Sequence, residues 1–200
     1  MYFPQSLTFP NADFRETLSH ESAHFMKKHV VAKGPDDEVN IIGAGFSRYG
    51  KHLNNIYEES NAEFFSLFCA DDNIVHRTPY GEQLSFTIAL LKRFSQVKGI
   101  ESVDAFKKLF KANAIRDFSF QRELVEVFGT ETVKAFNNFS WWEQSMSSFN
   151  SNTSESGMTP ERLAELGGFN EEFTALRAAT KRGEEISLPG LKGTFKASNR

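Results

Sequence analysis

The 200-residue chain contains one cysteine, Cys69. That excludes an intramolecular disulfide and a cysteine-based zinc finger, so any metal has to be held by His, Asp or Glu. Surplus positive charge is also lacking. Lys and Arg number 23 against 26 Asp and Glu, for a net charge of −3. No basic face is forced by composition, and nucleic acid is not an expected partner. No apolar run approaches the roughly 20 residues that span a bilayer, so no membrane span is expected. The opening stretch "MYFPQSLTFPNADF" has neither a basic n-region nor an apolar h-region. It predicts no classical signal peptide, which leaves the cytoplasm or export by a non-classical route, as for a secreted effector. Phenylalanine, by contrast, is abundant at 21 residues. These rings are expected to supply most of the core.

Periodicity sets out the order of elements. "YFPQSLTF" is β-prone but interrupted by Pro4, so it reads as an edge strand or an extended arm. Asn11 stands at a helix N-cap position. Phe14, Leu18, Ser22, Phe25 and Met26 follow at helical spacing, which predicts a first helix from about Ala12 to about Val30. "KGPDDE" is a turn, and "VNIIGAGF" is a short apolar strand ending in glycines. From Leu53 onward the pattern is helical, with no buried strand expected after residue 50. The Ser/Asn-rich stretch 147–158 reads as a linker. Thr159-Pro160-Glu161 then opens a helix, with a cap followed by proline. The expected division is a domain over 1–146, the linker, and a short helical tail over 159–200 whose end, "LPGLKGTFKASNR", is loose.

The chemistry concentrates in "TLSHESAHFMKKH". His20, Glu21 and His24 form H-E-x-x-H on the first predicted helix. Positions i and i+4 lie one turn apart on one face, so two imidazoles there can reach one ion. Glu21 is rotated by roughly 100° from His20. Its carboxylate would lie beside the metal, where a general base takes a proton from a metal-activated water. Such a site wants a third protein ligand. On the next predicted helix, "IYEESNAEFF" offers Glu59 and Glu63, again at i and i+4. One carboxylate could bind the ion while the other orients a histidine through its second ring nitrogen. His29 falls off the ligand face. Donors for transition-state stabilisation are Tyr49, His52, His76 and Tyr80, with Tyr80 preferred because it follows the second ligand helix in a Pro-containing loop.

These residues resemble the zincin metallopeptidases of the gluzincin type. In that family a second helix carries N-E-x-x-x-D or N-E-x-x-T-E after H-E-x-x-H. "YEESNAEFF" is similar, with Glu59 at the ligand position and Glu63 at the supporting position; Glu58 replaces the family's Asn. The stretch "NAEFFSLF" is also similar to the E-F-F-A-E-A-F helix of lethal-factor-like toxins, which would make Glu63 the ligand, although Leu67 stands where that match needs an acidic residue. Over about residues 12 to 140 the chain looks like small bacterial zincin-like proteins. The resemblance implies an α+β, predominantly helical, zincin-like domain with a reduced β-sheet and a C-terminal helical bundle. It implies a zinc metalloprotease acting on a peptide or protein substrate. His20, His24 and Glu59 would hold Zn2+, Glu21 would be the base, Tyr80 the donor and Glu63 the supporting carboxylate.

Two other readings compete. A catalytically silent zincin-like or helical interaction protein would leave His20 and His24 merely exposed. "VNIIGAGFSRYG" resembles a dinucleotide-binding turn, since a strand followed by G-A-G lets amides approach a phosphate. The third glycine of that fingerprint falls on Arg48, however, and a tight turn is the simpler role. Trp141 and Trp142 read as core packing with one ring at a surface contact, and Cys69 as buried packing on the Glu59 helix.

Overall fold

The computed structural model describes residues 12–48, 56–69, 73–141 and 158–198. Among them, eight helices and six short strands make an α+β, predominantly helical fold. Helix α1 (Ala12–Phe25) leads into strands β1 (His29–Lys33), β2 (Val39–Ala44) and β3 (Ser47–Arg48), which form an antiparallel sheet in the order β1-β2-β3. Helix α2 (Glu58–Phe68) follows, then β4 (Val75–Thr78). Helices α3 (Gly81–Lys98), α4 (Ser102–Ile115), α5 (Ser119–Phe128) and α6 (Thr130–Asn138) come next. Beyond residue 157 lie α7 (Pro160–Gly167), α8 (Asn170–Lys181), β5 (Glu185–Ile186) and β6 (Thr194–Ala197).

Helix α3 is the centre of the molecule. Leu84, Phe86, Ile88, Ala89, Leu90, Leu91 and Phe94 are all fully buried along it. A helix apolar on every side has to be enclosed by others, and α4, α5, α7 and α8 all pack against it. Phenylalanine supplies the filling. The Phe86 ring meets Phe136, Phe169, Phe173 and Trp141 edge-on, at centroid distances of 5.2 to 6.0 Å. That geometry sets the positive edge of one ring against the negative face of the next.

Four local expectations are corrected. The first helix stops at Phe25 and not near Val30. Val30 and Val31 are β-branched and prefer a strand. The backbone there is claimed by tertiary partners: Lys28 N–H donates to the Ala114 carbonyl (2.6 Å) and Gly45 N–H to the Lys28 carbonyl (3.1 Å). A buried strand does exist after residue 50. In β4, His76 and Thr78 point inward while Val75 and Arg77 face out. The segment up to residue 198 is not loose, because β6 pairs in parallel with β4 and antiparallel with β5. Cys69 is exposed at the C-terminal cap of α2 and is not packed inside.

The C-terminal segment is part of the same core. Leu163, Phe169, Phe173, Leu188 and Phe195 are buried in one cluster with Phe64 and Phe86. Its first helix starts as expected, with the Thr159 side chain accepting from Arg162 N–H (3.2 Å) and Pro160 in the first turn. Trp141 is partly buried and donates its indole N–H to the Ile56 carbonyl (3.2 Å). The expected N-terminal strand, the Asn11 cap, Tyr49, His52, Trp142 and nearly all of the predicted linker lie outside the described residues.

The G-A-G stretch is a hairpin turn. After Gly45 the chain folds back as β3, with Ala44 paired to Ser47. Phe46 N–H, an amide that a phosphate cradle would use, instead donates to Asn113 Oδ1 (2.8 Å). The dinucleotide reading has no support in this geometry. Gly45 has φ +54°, and a Cβ there would lie 2.3 Å from Asn113 Oδ1. Gly45→Ala is therefore expected to destabilise the fold by at least about 1–3 kcal/mol from the backbone conformation alone. Urea denaturation checks this; an unchanged midpoint would refute the account of the turn.

Candidate metal centre

Helices α1 and α2 pack face to face, and their one-turn pairs meet. His20 and His24 project from α1, and Glu59 and Glu63 from α2. His20 Nε2 and His24 Nε2 lie 3.2 Å apart. Glu59 Oε2 lies 3.3 Å from His20 Nε2 and 3.7 Å from His24 Nε2. For metal bonds of about 2.0–2.1 Å, a tetrahedral zinc site has ligand atoms roughly 3.3 Å apart. Two sides of the triangle, 3.2 and 3.3 Å, match that edge length and the third, 3.7 Å, is longer; its donors are two imidazoles and one carboxylate. These three residues could hold a divalent metal.

The second nitrogens of the two imidazoles have different surroundings. His20 Nδ1 lies 3.3 Å from Glu63 Oε1, on the opposite side of the ring from the Nε2 that faces Glu59. The second oxygen of Glu63 is in close contact with His76 Nε2 from β4. Behind His24, Glu58 Oε2 lies 3.8 Å from Nδ1 and is paired with Lys27 Nζ. Lys27 Nζ is itself 3.2 Å from His24 Nδ1. The other oxygen of Glu58 accepts from Ser47 Oγ (2.6 Å). The three candidate carboxylates are thus separated: Glu59 faces the two Nε2 atoms, Glu63 lies behind His20, and Glu58 lies behind His24.

The remaining expected residues fall in three places. Tyr80, the residue preceding α3, stacks on His20 with ring planes 11° apart and centroids at 5.9 Å. Glu21 is exposed on α1, one residue past the buried His20. His76 is buried behind Glu63, so it braces the site from within and is not a donor at its open side. His29 is exposed on β1, away from α1.

Two participants were not foreseen. Lys27 and Ser47 hold Glu58, and the signal for them was weak. Lys27 lies three residues past His24, but beyond the end of the helix. Ser47 comes from the hairpin, and nothing local ties it to Glu58.

Electrostatics bind the cluster together. Burial alone would lower the His20 pKa, but the hydrogen bonds and charges of Glu59 and Glu63 outweigh it and carry the group up to about 9. The nearby carboxylates of Glu58 and Glu59 raise His24 against the opposing effects of burial and Lys27. Burial would raise Glu58, Glu59 and Glu63, yet all three are held below the usual carboxylate range. His20 and His24 act on Glu59, His20 and His76 on Glu63, and His24 and Lys27 on Glu58. With neutral imidazoles, three carboxylates and one ammonium leave two negative charges in the cluster. Two protons on histidine can balance that charge, or one divalent cation can.

Neither a family model, nor a curated protein, nor a solved structure matches this chain.

A definite pH response follows. The His20 pKa in the metal-free fold lies above its ordinary value of 6.5. Its contribution to stability is complete below pH 6.5 and is lost as pH rises through about 9. The carboxylates have depressed pKa values, so theirs is present above about pH 4.5 and is lost in acid. Thermal melts of metal-free protein should thus peak between about pH 4.5 and 6.5. Zinc affinity should instead climb with pH toward about 9, because His20 must shed its proton to bind. A metal-free stability that rises from pH 6.5 to 9 would contradict this balance of charges.

Proposed function

We propose that this protein is a zinc-dependent metallopeptidase that hydrolyses peptide bonds in a peptide or protein substrate. The observation that carries the reading is the triangle of His20 Nε2, His24 Nε2 and Glu59 Oε2, with sides of 3.2 to 3.7 Å. Two helices build it, and Glu63 backs His20 at its second nitrogen. A cluster with an excess of carboxylates, balanced in the metal-free fold by protons on histidine, also favours a divalent cation over a neutral ligand. Zinc is favoured by the imidazole and carboxylate donors and by a three-ligand set that leaves a position open. When bound there, the metal supplies Lewis acidity toward a water and toward the scissile carbonyl.

The chain's own residues supply the remaining functions. Glu63 fixes the His20 tautomer with Nε2 outward. Lys27 and Ser47 hold Glu58 away from the ligand triangle. Glu21 adjoins the ligand pair and is exposed, so it can reach a substrate; it accepts a proton at its carboxylate and passes it to the leaving amine. Tyr80 lies against His20 and donates its phenol to the carbonyl oxygen as negative charge develops there.

Two separate experiments test binding and catalysis. Purified protein is expected to carry one zinc per chain by elemental analysis, and both His20→Ala and Glu59→Ala are expected to lose it. Retention of stoichiometric zinc in both variants would remove the site. Glu21→Gln is expected to keep its zinc while peptide hydrolysis, followed on an unstructured protein substrate, drops by about 10²–10⁴-fold. Full activity in that variant would exclude Glu21 as the base.

A further inference from the structure

His76 belongs to none of the three groups a hydrolytic metal site requires, namely ligands, base and oxyanion donor. It is nevertheless buried, 8% exposed, with its Nε2 in close contact with the second oxygen of Glu63. The other oxygen of Glu63 lies 3.3 Å from His20 Nδ1. Glu63 thus bridges two histidines from different elements, α1 and β4, and neither oxygen is left to turn toward the Nε2 side. A carboxylate with 3% of its side chain exposed needs such partners to remain charged. Remove one of them, and it can rotate, take up a proton, or move toward the metal. In each case His20 loses its fixed orientation.

The element that holds His76 is unusual. Strand β4 is four residues long and pairs with β6, from the far end of the chain. His76 stands opposite Phe195 in the register, and the two rings meet edge to face at 6.1 Å. Backbone bonds close both ends of the pairing, Thr194 N–H to the Ile74 carbonyl (2.8 Å) and Ser198 N–H to the Thr78 carbonyl (2.9 Å). Phe195 also packs on Phe64, the neighbour of Glu63 on α2, at 5.4 Å. One C-terminal ring therefore contacts His76 and the residue adjoining its partner.

We propose that His76 is a positioning residue of the metal centre, holding Glu63 and through it His20, and that β6 fixes it there. This inference rests on the metal reading above. It makes the C-terminal segment part of the site although it supplies no ligand.

Two variants of similar size separate positioning from packing. In His76→Gln the side-chain amide nitrogen takes the place of Nε2 and can still donate to Glu63. In His76→Asn it takes the place of Nδ1 and falls short. Zinc affinity is measured by competition with a chromophoric chelator, alongside the visible absorption of the cobalt-loaded protein, with His20→Ala as the control that loses metal. His76→Asn is expected to weaken zinc binding by about 10–100-fold and to alter the cobalt bands. His76→Gln is expected to restore both toward wild type. If Gln and Asn behave alike, both unimpaired or both equally impaired, His76 is only a packing residue and the proposal falls. If wild type takes up no zinc, or His20→Ala binds it equally well, the metal reading itself fails and the positioning role falls with it.

Discussion

A carboxylate buried between two imidazoles constrains the middle of this protein. Glu63 is nearly inaccessible, and a charge removed from water has to be matched by opposite charge nearby. His20 and His76 lie against its two oxygens. To satisfy this one group, α2 must face α1 and β4 must lie alongside. Strand β4 in turn takes its ladder partner from β6. The short connection from β4 into α3 then carries Tyr80 onto the face of His20. Segments from the start, the middle and the end of the described chain are drawn to one place by the requirements of one side chain.

The same logic separates two adjacent glutamates. Neighbouring residues on a helix point about 100° apart, so Glu58 and Glu59 cannot both face one ion. Lys27 and Ser47 capture Glu58, and Glu59 is left opposite the two imidazole nitrogens. The cluster therefore keeps a net negative charge in a largely buried place. Protons on the histidines balance it in the metal-free fold, which is why His20 is so basic. A divalent cation would displace those protons, so metal uptake and proton release are two aspects of one equilibrium.

Packing joins this centre to the rest of the molecule. Phe195 contacts both His76 and Phe64, and Phe64 contacts Phe106 on α4. The aromatic core and the polar cluster share these residues at their border. Close-packed interiors yield little to local change, so the orientation of the histidines is set partly by rings that never approach the ligand triangle.

The one-turn pairs His20/His24 and Glu59/Glu63, the helical character of most segments, the tight turn at Gly45 and the Thr159-Pro160 helix start were all determined by the sequence alone. Each depends on spacing of four residues or fewer, and helix geometry converts such spacing directly into a shared face. Tertiary structure decided the remainder. It ended α1 at Phe25, because Lys28 and the valines beyond it found partners in Ala114, Gly45 and β2. It made strands of residues 75–78 and 194–197, which are too short to display a period of two and whose pairing spans most of the chain. It placed Lys27, Ser47 and His76 behind the candidate ligands, where no local pattern points. Ligands on one helix turn are a local property of the chain, whereas the groups that hold them come from wherever the fold brings a complementary charge into contact.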